Sequence, residues 1–190
     1  MEVLKKIKQI NNDSKKVKLN LTQKLKVLFL IFVVGCIVGY VYEEIFHLVI
    51  ENEIVNRGFL YGPYLPVYGV GAIFLTLLLR PLKKHPLIIF GLSMIITGIV
   101  EYITGYAMWE IWHRRWWDYT GLFLNVDGYI CLRSLLTFAI ATIFLLYVIE
   151  PYIVKYIKKI SYKKTNIFII MFSIIFIIDL FLTFLIRNKI

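Results

Sequence analysis

The chain is poor in the residues and motifs that usually carry soluble chemistry. It has two cysteines, Cys36 inside an apolar run and Cys131 at the edge of another. Two such residues make neither a disulfide framework nor a metal-ligand spacing. There is no Walker A loop, no dinucleotide-binding glycine motif and no His-Glu-x-x-His zinc helix. No cofactor and no metal are therefore expected, and ATP-driven work would need a separate ATPase on another chain. Acidic residues are scarce too, 12 Asp and Glu against 22 Lys and Arg, for a net charge of +10. A basic surplus suggests nucleic acid when it covers one surface. Here the lysines fall in short clusters between apolar runs, so no nucleic-acid partner is expected.

What the chain has in abundance is apolar length. Of its 190 residues 59% are hydrophobic, and its mean hydropathy is +0.74, whereas soluble domains run at about 45–50% apolar. Stretches long enough for a membrane span fall near 26–50, 86–108, 132–149 and 166–186, with a shorter one near 65–79. The expected fold is all-α, a polytopic integral membrane bundle of about five transmembrane helices. It forms one domain from 26 to 190, preceded by a Lys-rich tail over 1–25. The first apolar run is too long, and lacks the cleavage site, for a signal peptide. Val33 to Cys36 looks like a lipoprotein cleavage box, but the residues after Cys36 stay apolar, so lipidation is not expected.

Positive charge alternates between the loops. Lys5 to Lys26 precede the first span, Arg80, Lys83 and Lys84 follow the second, and Lys155 to Lys164 follow the fourth. The other loops hold only Arg57, Arg114, Arg115 and Arg133, with Arg187 and Lys189 in the C-terminal tail. The positive-inside rule places the Lys-rich side in the cytoplasm. The expected location is the cell membrane, with the N-terminus cytoplasmic, the C-terminus extracytoplasmic and the lipid bilayer as first partner. The N-terminal tail would lie against anionic headgroups.

Ionisable groups inside a span are costly, and each is a functional candidate. Glu43, Glu44 and His47 come late in the first span, Glu101 late in the third, and Asp179 in the fifth. Counting 1.5 Å per residue, Glu43 and Glu101 lie ~22–24 Å and Asp179 ~18–20 Å from the inner edge of a ~30 Å core. With Arg57 and Arg133 at the same outer level, they outline a polar cavity opening outward, with ion pairs such as Arg133–Glu101. Glu43, Glu44 and His47 alternatively reach the interface if the first span is shifted inward by two turns, and Asp179 is alternatively a structural polar contact between helices. Glu44-x-x-His47 has the spacing of a di-iron ligand pair, but no second pair exists to complete such a site.

The second span is too short to cross alone. Gly58, Gly62, Pro63 and Pro66 precede it and forbid regular helix, so the span requires this hairpin to dip into the membrane. Non-helical backbone survives there only against protein or water. The helix start near Val67 would offer N–H groups to an anion, and Gly69 and Gly71 would admit a neighbouring helix. The alternative is an ordinary outer loop. All four tryptophans fall between Trp109 and Trp117; a helical reading sets Trp109, Trp112 and Trp116 on one face, as for an interfacial anchor. Turn residues from Asp118 to Gly128 then lead back into the fourth span.

Several of these stretches look familiar together. The run from Gly58 to Gly71, with Gly62, Pro63, Pro66, Tyr68 and Gly69, resembles the glycine–proline signature of the type IV ABC-transporter permease family of the CmpB type. Glu101, the Trp117, Asp118, Tyr119 triplet and the segment from Asn125 to Leu132 add to the likeness, which covers roughly residues 30 to 150. It implies a bacterial inner-membrane permease component and carries over no catalytic residues.

The expected function is thus a permease-like subunit whose cavity takes a polar or anionic solute or a lipid headgroup. Its candidate residues are Glu43, Arg57, Gly62, Pro63, Tyr68, Glu101, Trp117, Asp118, Tyr119, Asn125 and Arg133, with Glu44, His47 and Asp179 as secondary ones. Five spans are few for a lone transporter, so a homo-oligomer or a partner membrane subunit is expected. Two other classes remain open. One is a membrane-embedded enzyme at the outer leaflet, with Glu101 or Glu43 as acid or base and Arg57 and Arg133 on phosphate. The other is an accessory or sensor protein without turnover.

Overall fold

The computed structural model describes residues 18–50 and 58–186, with isolated positions 2, 5 and 9–11 near the N-terminus. The expected tail therefore lies largely outside the described residues, as does Arg57. The helices are α1 (Leu21–Ile50), α2 (Pro66–Leu79), α3 (Pro86–Trp112), α4 (Leu132–Phe144), α5 (Glu150–Lys159) and α6 (Tyr162–Ile186). A 3-10 turn, Arg80–Leu82, follows α2, and a π turn, Leu145–Ile149, joins α4 to α5. Among the described residues four helical segments are long and apolar enough to cross a membrane: α1, α3, the run from Leu132 to Lys159, and α6. The α2 segment is the short fifth, its 14 residues giving a rise of about 21 Å.

Helix ends follow local chemistry. The Asn20 side chain accepts the Gln23 N–H at 2.8 Å, and Gln23 accepts the Asn20 N–H at 3.2 Å, a reciprocal cap that starts α1. Its start at Leu21 lies five residues earlier than the apolar run suggests. Pro86 opens α3, where its missing N–H costs nothing. Cys131 and Ser134 cap α4 reciprocally. The π turn sits just before Pro151, whose ring would collide with the carbonyl four residues back in a regular helix; the widened turn makes room.

One expectation fails at the tryptophans. Helix α3 stops at Trp112, because His113 turns left-handed (φ 50°) and its N–H returns to the Trp109 carbonyl at 2.8 Å. Trp116 and Trp117 lie beyond the helix, so no continuous helical face carries all of them.

The pattern of burial is that of a protein in lipid. The buried residues of α6 are Thr165, Asp179 and Thr183, while Ile170, Ile174, Ile177 and Phe181 are exposed. The buried residues of α4 are Ser134, Ala139 and Thr142. Polar and small residues inward with large apolar ones outward is the arrangement a hydrocarbon solvent favours.

The chain divides into two compact units, one of Met1–Phe74 with Val148–Ile190 and one of Leu75–Tyr147. In the first, Lys26 sets its ammonium 3.3 Å from the centre of the Tyr162 ring. Further along, Phe29 meets Phe172 and Phe32 meets Phe176. Contacts that advance in the same direction on both helices make α1 and α6 parallel. The first turns of α2 press against α1 where side chains vanish. A Cβ on Gly35 would stand 2.9 Å from that of Ala72, and one on Gly69 2.5 Å from the Cys36 sulfur. Gly71, expected to share this role, has open space around it; its face of α2 points away from α1. In the second unit α3 packs on α4, with Gly98 under Leu135. Leu75, Leu79, Ile89 and Leu146 form its core.

Candidate functional site

Three polar constellations stand out, two in the first unit and one in the second. The first fixes the glycine–proline segment. Residues 58–65 form no helix, so their backbone groups need partners from elsewhere. Asp179 of α6 supplies them. Its Oδ1 accepts the Tyr61 N–H at 2.9 Å and the Thr183 hydroxyl at 3.2 Å; its Oδ2 accepts the Gly62 N–H at 2.7 Å and the Tyr64 hydroxyl. The Leu65 N–H reaches the Cys36 carbonyl of α1 at 3.0 Å. Leu60 and Tyr64 are buried with Cys36, Phe32, Phe176 and Leu180, and Phe59 packs on Phe184. The segment thus lies along α6 from Phe172 to Phe184, beside the apolar length of that helix. Asp179, read from the sequence as a cavity candidate, spends both oxygens on protein donors and acts as a clamp.

The second constellation joins α1 to α2. The Tyr68 hydroxyl donates to Glu43 Oε1, and His47 Nε2 lies 3.5 Å from Glu43 Oε2. Tyr68 reaches this carboxylate because Gly39 leaves room for its ring. His47 is buried, and Glu44 has one carboxylate oxygen shielded from solvent without a hydrogen bond. Glu43, His47 and Tyr68 therefore share one neighbourhood, while Glu44 pairs with Tyr40 instead. Among the described residues no three His, Cys, Asp or Glu side chains gather to hold a metal ion.

The third is built on Glu101 of α3. Its Oε1 accepts the Tyr119 hydroxyl and its Oε2 the Ser134 hydroxyl, each at 2.9 Å. These hydroxyls stand in place of the expected guanidinium, for Arg133 lies 6.0 Å from the centre of the Tyr119 ring instead. Tyr119 is held by a compact loop from His113 to Cys131. The Tyr119 N–H donates to the Gly128 carbonyl, and Trp117 Nε1 to the Tyr129 carbonyl, each at 2.9 Å. Asn125 accepts the Gly128 N–H at 3.3 Å and donates to the Leu122 carbonyl. Asp118 accepts from the Thr120 hydroxyl and N–H and from Arg115 at 3.0 Å. Those bonds, Thr120's first, hold its carboxyl below the ordinary carboxylate value. Gly128 must be glycine twice over. Its φ is 72°, and a Cβ there would strike Arg115, Asp118 and Thr120.

Glu101, Trp117, Asp118, Tyr119 and Asn125 thus come together as one structure, with Arg133 at its margin. Sequence reasoning missed Ser134, Tyr64, Tyr102 and Thr183. Ser134 carried a usable signal, since it stands three residues after Cys131 at a helix start. The others look like ordinary residues of an apolar or aromatic run.

Fold and burial define the class: an all-α, multi-pass membrane protein with hydrogen-bonded carboxylates inside its spans. A sequence model of the family described as "Putative ABC-transporter type IV" matches residues 30–184, and the chain belongs to that family. The match reaches past the first five helices into α6, further than the likeness legible from the motifs. No curated protein and no solved structure matches the chain.

Proposed function

We propose that the chain is the membrane-embedded, permease-like subunit of a transporter, handling a polar or anionic solute or a lipid headgroup from the outer side of the cell membrane. The observation that carries this reading is the broken span. Residues 58–65 and α2 together make a discontinuous membrane segment, its irregular backbone held by a carboxylate of α6. Transporters build binding sites from such segments, because a half-helix start offers N–H groups at depth. Tyr68 lies in the first turn of that half-helix and donates to Glu43 of the neighbouring α1.

In this reading the N-terminus and the lysine clusters are cytoplasmic and the C-terminus is outside. The parallel packing of α1 and α6 supports it. Two parallel helices require an odd number of crossings between them, and α3 with the Leu132–Lys159 run supply only two. The hairpin with α2 supplies the third. In this reading energy comes from a separate ATPase, as the transporter family implies, and a second copy or another membrane subunit completes the pathway.

The test is native mass spectrometry of mildly solubilised protein from its own membrane. The expected result is a complex of two or more membrane chains with an ATPase. Recovery of the chain without an ATPase, together with chemically altered lipid made by that chain alone, would replace transport with catalysis at the outer leaflet.

A further inference from the structure

The loop between α3 and α4 lies lower along α3 than a plain outer connection would. Helix α3 rises about 22 Å from Pro86 to Glu101, which leaves Glu101 roughly 8 Å inside the outer edge of a ~30 Å core. Ile99 and Ile103, on either side of it, are exposed, as lipid-facing residues are. Helix α4 begins at this level, for Ser134 bonds Glu101 and Leu135 packs on Gly98. The loop reaches the same level before α4 starts. Ile130 lines one groove with Ile99 and Tyr102, and Asp127 accepts the Tyr102 hydroxyl at 2.8 Å. The Phe123 carbonyl accepts the Leu132 N–H at 3.4 Å, which holds Phe123 beside the first residue of α4.

Two features suit this loop to hydrocarbon. Its backbone closes on itself: the N–H groups of Tyr119, Leu122, Asn125, Val126, Tyr129 and Leu132 all end on carbonyls of the loop. Those of Thr120, Gly128 and Cys131 end on side-chain oxygens. Non-helical backbone at membrane depth has to be satisfied in this way, whereas a loop in water has no such need. The second feature is the tip. Phe123 and Leu124 are 74% and 63% exposed, and Leu124 holds a left-handed backbone (φ 52°), which is unfavourable for leucine. In water that strain would come with two solvated apolar side chains. In lipid their burial offsets it.

We propose that this loop is re-entrant, with Phe123 and Leu124 embedded in the hydrocarbon of the outer leaflet. The partner of this surface is the lipid itself. Asp118 and Arg115, paired at 3.0 Å, stay at headgroup level, and Tyr119 reaches down from there to Glu101. The loop thereby fixes the depth of the Glu101 site, whatever the chain transports.

The full-length chain is placed in nanodiscs of phosphatidylethanolamine and phosphatidylglycerol and spin-labelled at Phe123→Cys or at Leu124→Cys. Cys36 and Cys131 are fully buried and stay in place; wild type gives the background labelling. Power saturation then compares collisions with oxygen, which concentrates in hydrocarbon, and with a nickel chelate, which stays in water. Oxygen should prevail at both loop positions, as at Ile103→Cys on the exposed face of α3. The nickel chelate should prevail at Lys84→Cys, in the exposed turn before α3. Nickel prevailing at either loop position would make the tip part of an aqueous loop, and poor access for both reagents would mean that a second protein chain covers it. Either result overturns the proposal. Should one loop variant fail to fold, the other decides, since each changes a single exposed side chain. The readout involves neither an ATPase nor a substrate, so its failure leaves the transporter reading standing.

Discussion

The Tyr64 hydroxyl donates to the Asp179 carboxylate across 115 residues of chain, and the same carboxylate takes the N–H groups of Tyr61 and Gly62. A single acid thereby replaces the helical hydrogen bonds that glycine and proline deny to residues 58–65. Asp179→Asn should be destabilising, because its amide N–H₂ would face backbone donors and leave one unsatisfied. A cost of about 1–3 kcal/mol is expected, read as a fall in the unfolding midpoint in detergent. Tyr64→Phe should cost less, and the double variant less than the sum. Unchanged midpoints in both single variants would mean the hairpin is held by packing alone.

The hairpin's depth is a separate expectation. Phe59 and Tyr61 are half-exposed and Tyr64 is buried, and all three lie beside the apolar length of α6. Single cysteines at these positions, with Cys36 and Cys131 replaced, should react with a small charged thiol reagent from outside only where a watery cavity reaches them. A bulky reagent should label them slowly or not at all. Fast labelling of all three by the bulky reagent would return the segment to the surface as a plain loop.

Glu101 offers a cleaner separation of charge from fold. Its two partners are hydroxyls, which rotate to accept as well as donate, so Glu101→Gln should unfold within about 1 kcal/mol of wild type. If the negative charge serves transport, ATP hydrolysis by the assembled complex should still lose its response to substrate. Wild-type response in the Gln variant would demote Glu101 to a packing contact.

Much of this was legible in advance, and the reasons are physical. Lipid demands length and closed backbone hydrogen bonding, so the spans and the glycine–proline break show directly in the sequence. Asp179 was legible as costly, yet its partners were not, since the pairing with Tyr61, Gly62 and Tyr64 depends on how α6 returns beside α1. The end of α3 was hidden because His113, not glycine, takes the left-handed turn. The loop around Glu101 was legible in composition only. Left-handed residues at Leu124 and Asp127 set its path, and leucine gives no warning of that conformation.

Acid should loosen that loop. Asp118 is held below its ordinary value of 3.8 by Thr120 and Arg115. A depressed value in the folded loop means the contribution is complete above pH 3.8 and is lost as pH falls through the folded value. Amide exchange of Tyr119 and Thr120, corrected for intrinsic rates, should therefore gain protection up to about pH 4 and then level off. Asp118→Asn should remove this dependence. A pH profile identical in both proteins would assign the loop's order to its backbone turns.

The membrane topology rests on an argument from parity. Lys26 meets Tyr162, Phe29 meets Phe172 and Phe32 meets Phe176, so α1 and α6 begin on the same side. Between them an odd number of crossings is required, and the two long helical runs provide an even one. A reporter fused after Ile190 should therefore read as extracytoplasmic, and one fused after Lys84 as cytoplasmic. The second fusion is the sharper of the two. If the hairpin and α2 fail to cross, Lys84 stays on the side reached at the end of α1 and reads as external. A cytoplasmic signal at both points would contradict the parallel pair itself, because α1 and α6 would then run in opposite directions.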